Sequence, residues 1–421
     1  MGIGMNKSLQ NLKDRGFFSQ CTNIDELSSA MDEGQITFYV GCDPTGPSLH
    51  IGHMVPFFAF RHLIADGHKG IALIGGGTAR IGDPSGKSEM RKMLSYDELD
   101  KNADCIQKQL SRFFGGFDGV KAECANNKDW LKDLNYIDFL REIGSHFSVN
   151  RMLSFEAYKK RMETGLSFIE FNYQLLQSYD FLQLYRRYGC TLQIGGDDQW
   201  GNIVAGMELI RRIEGNEIQS NGITFPLVTT SDGKKMGKTE KGAIFLDQNI
   251  TSAYDFFQYW RNVSDADIKR FLLLFTFLPI SECESLTAPG SEPNEAKERL
   301  AYEVTSIIHG KDAADKALAG AKAAFSGTLI ADKSAIPGKE IAAAKFSAGI
   351  NIVDLFFEAG LCGTKSDARR LVEQGGAFVD TGNGTLTAIA DVKKIIGSAD
   401  IQDGTLILRA GKKRFCRIVV L

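Results

Sequence analysis

Six histidines occur in 421 residues, and two of them, His50 and His53, stand three apart in "PSLHIGHMVPF". The piece before them, "VGCDPTG", is made of turn formers, and the run after them, "MVPFFAFRHLIADG", has its apolar residues at helical spacing. A helix start presents unpaired N–H groups and a partial positive charge, so it attracts anions. Gly52 allows a ligand close to the backbone, and side chains three apart in a first turn project to one side. Two imidazoles there can donate hydrogen bonds to phosphate oxygens. Two ordinary histidines at a surface turn fit the same spacing.

Four further stretches carry reactive residue types. "LIGGGTARIGDPSGKSEMRKML" offers a strand end, a glycine turn, Asp83, and then Lys87 and Arg91. It is not a Walker loop, because Ile81 stands where that motif needs its first glycine. It is not a dinucleotide fingerprint either, because Arg80 stands in place of the third glycine. In "FIEFNYQLLQSYDFLQLYRRYG", Tyr173, Gln177 and Asp180 share one stripe of a helix, while Leu176, Phe181 and Leu184 share another. The polar stripe is either a solvent face or a pocket wall able to bind an ammonium and a hydroxyl. "LQIGGDDQWGN" gathers Gln193, Asp198 and Gln199 around two glycines at a strand end, beside Trp200; ligand contact and a plain structural turn both fit. "TTSDGKKMGKTEKG" is rich in lysine and glycine with little to pack. It is either a solvated loop or a lid whose Lys235 and Lys238 close on a polyphosphate as its charge builds.

The elements that must position these residues follow from pattern. "ITFYVG", "GIALIGGG", "CTLQIGG" and "ITFPLV" are strand candidates separated by helical runs, with a long helical middle between the second and the third. That alternation predicts a parallel α/β sheet with ligands outside the carboxyl ends of its strands, where the glycine turns lie. From Ala243 to about Ser326 the pattern is mainly helical. "AAFSGTLIADKSAIPGKEIAAAK" reads as a linker. Beyond Asn351 come two short helices and a strand, then a closing hairpin in "GTLILRAGKKRFCRIVVL".

Composition bounds the function. Hydrophobic content of 43% and charged content of 24% belong to an ordinary soluble globular protein. No apolar run is long enough for a membrane span, and "MGIGMNKSLQ" lacks the apolar core of a signal peptide. Eight cysteines without a C-x-x-C pair argue for reduced thiols in a cytoplasm, and against a zinc site or a disulfide framework. With a net charge of −3, a nucleic acid would need a local basic patch. One exists: Arg409, Lys412, Lys413, Arg414 and Arg417 fall in an acid-free tail, with Lys365, Arg369 and Arg370 on a predicted helix nearby.

Together, His-Ile-Gly-His after the first strand and Lys-Met-Gly-Lys-Thr past the last resemble the paired signatures of class I aminoacyl-tRNA synthetases. "YVGCDPTGPSLHIGH", "IGDPSGK", "YQLLQSYDF" and "QIGGDDQWGN", in that order, closely resemble the bacterial-type tyrosyl-tRNA synthetases. The resemblance covers nearly the whole chain, including a C-terminal segment similar to S4-type RNA-binding domains. It implies a Rossmann-like parallel-sheet catalytic domain over residues 1–242 with a helical insertion at about 120–170. After it would come a helical anticodon-arm-binding domain (243–330), a linker (331–346) and a small α+β S4-like domain (347–421). It also implies tyrosine–tRNA ligase activity: L-tyrosine and ATP give tyrosyl-adenylate and pyrophosphate, and tyrosine passes to the 3′-terminal adenosine of tRNA(Tyr). Mg2+ would accompany ATP with no protein-bound metal, in a cytoplasmic homodimer formed through the middle between about Trp130 and Phe171.

Carried over by motif, Asp43, Thr45, His50 and His53 line the ATP site, Gly52 lies against adenine or ribose, and Asp198 binds ribose hydroxyls. Thr45 and His50 contact the outer phosphates in the transition state. Lys87, Arg91, Lys235, Lys238 and Thr239 hold the departing pyrophosphate. Tyr39 and Asp180 meet the phenolic hydroxyl; Asp83, Tyr173 and Gln177 hold the ammonium; Gln199 approaches the carboxylate. Two places depart from common patterns: Gly237 and Thr239 stand where lid signatures often have serine, and Asp197 where many relatives have serine. Three rival readings exist. A tryptophan-specific relative is disfavoured by Tyr39 and Asp180, and a non-catalytic RNA-binding derivative by intact His50, His53, Lys235 and Lys238. A P-loop nucleotide hydrolase is disfavoured by the missing glycine.

Overall fold

Short β-rich runs ending in glycine or a turn former become the strands of one six-stranded sheet. In the computed structural model, which describes residues 4–85, 93–116, 122–231, 233, 236, 238–239, 242–326, 336, 338–380, 386–401, 403–411 and 414–421, these strands are β1 (Gln20–Cys21), β2 (Thr37–Cys42), β3 (Lys69–Ile74), β4 (Ala122–Asn126), β5 (Cys190–Gly196) and β6 (Asn221–Phe225). Their order is β1-β6-β5-β2-β3-β4, with β2 to β6 parallel to their neighbours and β1 antiparallel to β6. Phe38, Tyr39, Val40, Ile71, Leu73, Leu192 and Ile194 are buried, as expected for strands covered on both faces. β6 stops at Phe225 because Pro226 has no N–H to give the ladder.

The helical middle is not continuous. β4 falls inside the stretch expected to be a helical insertion. Its sequence, AECAN, has no β-branched residue and buries Ala122 and Ala125, so pattern alone does not reveal it. Pairing with β3 along the sheet edge, from Gly70↔Ala122 to Ile74↔Asn126, makes it a strand. The strand order also reverses: after β2 the chain lays β3 and β4 on one side, then returns to β5 on the other. A crevice opens at the carboxyl ends where the order reverses, between β2 and β5.

Around that crevice, the Met54–Ala65 helix buries Met54, Phe57, Phe58, Phe60 and Leu63, with Pro56 in its first turn where a missing N–H costs nothing. The Tyr96–Phe114 helix starts with a capping box in which Ser95 and Glu98 satisfy each other's backbone N–H groups. The Tyr173–Tyr188 helix packs Phe181 against Tyr39, ring centroids 5.3 Å apart. Past β6, the two-residue strands β7 (Lys238–Thr239) and β8 (Gly242–Ala243) pair antiparallel.

The chain divides into two compact units, Met1–Ile250 with Ser264–Ala296 and Thr251–Val263 with Lys297–Leu421. This differs from a boundary at residue 242. The Ile268–Phe275 and Ile280–Leu286 helices belong to the first unit, where buried Arg15 donates to the carbonyls of Leu273, Thr276 and Leu278. A side chain from the N-terminal region thus satisfies carbonyls at a helix end that have no helical partner. In the second unit the Ala253–Arg261 helix buries Phe256, Phe257 and Trp260, and Phe256 meets His309 edge to face at 4.7 Å.

The second unit also carries a five-stranded sheet. Its strands are β9 (Gly338–Ile341), β11 (Ala377–Asp380), β12 (Thr387–Ile389), β14 (Thr405–Ala410) and β15 (Arg414–Val420); β10 (Ile350–Asn351) pairs separately with β13 (Ile395–Ile396). The order is β12-β11-β14-β15-β9. The two short helices, Ile352–Glu358 and Lys365–Glu373, and the closing hairpin β14–β15 are where the pattern put them. The expected linker is not all linker: β9 lies within it and pairs parallel with β15. An edge strand that buries only Ile341 leaves little apolar signal to read.

Candidate functional site

A cavity of about 480 Å³ occupies the crevice between the ends of β2 and β5. Tyr39, Asp43, Thr45, His50, Gly52, His53, Asp83, Tyr173, Gln177, Asp180, Asp198 and Gln199 all line it. Residues from four separated stretches of sequence therefore face one space. Lys87, Arg91 and Lys235 lie outside the described residues, as do the side chains of Lys238 and Thr239.

At the buried end, Asp180 is 2% exposed. One carboxylate oxygen accepts from Asn127 Nδ2 at 2.8 Å and the other from Trp130 Nε1 at 2.7 Å. Burial pushes this carboxyl up to about 8, against the pull of those two donors. Beside it, Tyr39 is 1% exposed, and its hydroxyl has no hydrogen-bond partner among the described residues. Burial, and next the Asp180 charge, holds that hydroxyl well above its usual range, so it stays a neutral donor. A buried hydroxyl without a partner costs free energy unless a ligand or water meets it.

From Asp180 a chain of bonds runs to the end of β2. Asn127 Nδ2 also donates to Thr78 Oγ1 at 2.9 Å, Thr78 donates to Asp43 Oδ1 at 2.7 Å, and Tyr173 donates to Asp43 Oδ2 at 3.0 Å. Asp43 is thus joined to Tyr173, the residue expected at the ammonium. Gly75 makes room for this: a Cβ there would lie 2.0 Å from Asp43 Oδ1. A second network joins the polar helix stripe to the turn after β5. Gln177 donates to Gln199 Oε1 at 3.1 Å, Gln199 donates to Asp83 Oδ2 at 2.8 Å, and Asn202 donates to Gln177 Oε1 at 3.0 Å. The Tyr173–Gln177–Asp180 stripe is therefore a pocket wall, not a solvent face.

Asp197 does something else. Its carboxylate accepts from Thr224 Oγ1 at 2.6 Å and Ser19 Oγ at 2.8 Å. It ties the turn bearing Asp198 and Gln199 to β6 and to the residue before β1.

At the exposed end, the two histidines close the helix start. His50 Nδ1 accepts from the Gly52 N–H at 3.1 Å, and His53 Nδ1 accepts from the His50 N–H at 3.1 Å. Their rings lie 3.8 Å apart, centroid to centroid. With both Nδ1 atoms accepting, the proton of each neutral ring sits on Nε2, the donor a phosphate oxygen needs. A Cβ at Gly52 would lie 2.8 Å from the His50 ring and 3.6 Å from the Met236 carbonyl oxygen. The lysine-rich stretch thus reaches the histidine turn at Met236, which is buried and anchored by its N–H to Val228 O at 3.1 Å. Beyond that stretch the backbone pairs with the turn, Ile51 N–H to Ile244 O at 3.0 Å and Leu246 N–H to Leu49 O at 2.8 Å.

Asn127, Trp130, Thr78 and Asn202 were not expected in the site. Asn127 and Trp130 follow the unrecognised β4, so nothing local marked them. Asn202 did carry a signal, being a buried polar residue one turn after Gln199 on an amphipathic helix. Of the basic residues expected on RNA, Lys365 pairs with Asp354 at 2.7 Å, Arg370 with Asp367 at 2.6 Å, and Arg414 donates to Leu361 O at 2.8 Å. Arg369 is exposed, and Lys412 and Lys413 lie outside the described residues.

The fold and this site define a nucleotide-dependent class I synthetase, and the chain belongs to that family: residues 31–326 match the model of tRNA synthetases class I (W and Y). It is 64% identical over 416 residues to the tyrosine–tRNA ligase of Treponema denticola, covering 99% of this chain and 100% of that one. It is 59% identical to the tyrosine–tRNA ligase of Treponema pallidum, covering 99% of each. A C-terminally truncated mitochondrial tyrosyl-tRNA synthetase from Aspergillus nidulans superposes with a TM-score of 0.66 at 31% identity, over 75% of this chain and 93% of that one.

Proposed function

We propose that this chain activates L-tyrosine with ATP and transfers it to tRNA(Tyr). The observation that carries this reading is the buried pair of Tyr39, with its unpartnered hydroxyl, and Asp180, at one end of a cavity whose other end is the histidine turn. An aryl hydroxyl can bond both members of that pair. Phenylalanine would leave the buried Tyr39 hydroxyl without an acceptor, and an indole N–H, which only donates, could not accept from it either.

The chemistry needs no catalytic base in its first step. The tyrosine carboxylate is already a nucleophile; it attacks the α-phosphorus of ATP, a P–O bond forms, and pyrophosphate leaves with its electron pair. The site supplies alignment and stabilisation of the charge that builds on the phosphates. Asp83, Tyr173 and Gln177 hold the ammonium, Asp43 lines the ATP site beside Tyr173, Gln199 approaches the carboxylate, and Asp198 binds the ribose. His50, His53 and Thr45 donate to the phosphates. Lys87, Arg91, Lys235, Lys238 and Thr239 accompany the leaving pyrophosphate, and ATP arrives as its magnesium complex. In the second step a hydroxyl of the terminal tRNA ribose attacks the adenylate carbonyl and releases AMP.

Exposed Arg369 and the basic residues around β14 and β15 support RNA contact by the C-terminal sheet, in the manner of an S4-like domain. Exposed Phe168, Ile137 and Tyr136 support a homodimer formed through the middle segment. Amino-acid-dependent ATP–pyrophosphate exchange, run with tyrosine, phenylalanine and tryptophan, tests the core of the reading. Exchange with tyrosine alone is expected; exchange driven by tryptophan would overturn it. Ending the chain at residue 326 should spare exchange and impair tRNA charging.

A further inference from the structure

In the loop between β2 and the histidine turn, Pro44 and Pro47 lack N–H groups, so the backbone there cannot donate a continuous ladder. Two side chains of the Tyr96–Phe114 helix, seven residues apart on one face, take up its backbone instead. Asn102 Nδ2 donates to Pro44 O at 3.2 Å. Gln109 uses both ends of its amide: Nε2 donates to Pro47 O at 3.3 Å, and Oε1 accepts from the Leu49 N–H at 3.0 Å. Ser48, 6% exposed, lies between: its hydroxyl proton is shared between the Leu49 carbonyl oxygen at 2.7 Å and Gln109 Oε1 at 3.3 Å, and its Oγ accepts from the Asp247 N–H at 3.1 Å. One glutamine therefore grips the segment just before His50 and, through Ser48, the backbone that leaves the lysine-rich stretch.

We propose that Gln109 is a positioning residue for adenylate formation, with Ser48 as its relay. It holds the Thr45–His50 loop and the 244–247 segment in one register, so that the histidine turn meets the phosphates in a fixed geometry. This rests on the functional reading above. Among the described residues, the hydrogen-bond partners of Gln109 are Pro47, Ser48 and Leu49, none of which lines the cavity, so its effect belongs to the adjoining phosphate end. A displacement of about 1 Å in a donor suffices to cost a large factor in rate.

The test measures tyrosine-dependent pyrophosphate exchange by the full chain. Gln109→Leu is expected to lower kcat about tenfold or more while tyrosine KM stays within about twofold. Ser48→Ala should give the same signature at smaller size. Because Gln109 acts through His50, Gln109→Leu added to His50→Asn should cost little beyond His50→Asn alone. A merely structural brace would lower stability without that split, and the two losses would multiply. If Gln109→Leu does not fold, Ser48→Ala and Gln109→Asn carry the test. Normal kcat in folded variants, multiplying losses, or a tyrosine KM that moves with kcat would each overturn the proposal while leaving tyrosine activation intact. Absence of exchange by the unaltered chain would overturn both.

Discussion

The two ends of the cavity are built on different principles. At the phenol end, polar side chains bond one another: Tyr173, Asp43, Thr78, Asn127, Asp180 and Trp130 form one unbroken chain of donors and acceptors drawn from several elements. At the histidine turn, side chains bond backbone: each Nδ1 is engaged by a main-chain N–H within three residues. The first arrangement is buried and cross-linked by hydrogen bonds, and it suits discrimination, because a guest without a hydroxyl strands the Tyr39 hydroxyl. The second places half-buried rings on the cavity wall, and it suits stabilising charge that exists only while the reaction passes. Recognition is assembled by tertiary structure, and charge stabilisation by local chain geometry.

This contrast has measurable consequences. Asp180→Ala strikes the assembled end hardest. It removes the acceptor for the ligand hydroxyl and leaves Asn127 and Trp130 donors unpaired, each costing about 1–3 kcal/mol. Tyrosine kcat/KM should fall by about 10²-fold or more with ATP binding little changed; equal losses for both ligands would dissolve the distinction between the ends. His50→Asn keeps a side chain able to cap the turn. It should lower kcat about 10²-fold and leave the tyrosine dissociation constant near its original value, as read by equilibrium binding. Trp130→Phe sharpens the contrast, because it changes one supporting donor without touching the cavity wall. The expected result is about a tenfold loss in tyrosine kcat/KM with unchanged ATP KM.

The same contrast explains what could be read from sequence. His50, Gly52 and His53 announced themselves because their interactions are local, so spacing carries the geometry. The polar stripe of Tyr173, Gln177 and Asp180 was legible because helical periodicity puts those residues on one face. Whether that face met water or a ligand was not legible, since that depends on β2 and β5 being neighbours. Asn127 and Trp130 were invisible for the same reason. They sit just past β4, an edge strand defined by its partner and not by its own composition, and their importance arises only where they meet Asp180. β9 hid likewise in a stretch of small and polar residues. Parallel strands with long apolar runs were plain; edge strands were not.

The smallest expected effect concerns protons. Burial raises the Asp180 carboxyl to about 8, so in the empty cavity it is mostly protonated below that pH. If the ligand phenol donates to the carboxylate, only the ionised form binds well. Tyrosine affinity should then climb with pH, by up to about tenfold per unit below pH 8, and flatten above it. Between pH 7 and 8.5 that is a several-fold gain, with proton release on binding visible by calorimetry in buffers of different ionisation enthalpy. Stability should move the opposite way. The folded chain binds more protons than the unfolded one between the ordinary carboxylate range and pH 8, so this group's contribution declines as pH rises through that window. Asp180→Asn should abolish both slopes. No histidine variant at the exposed end should alter them, and a His50→Asn chain that lost the inflection near pH 8 would mean that the two ends titrate as one.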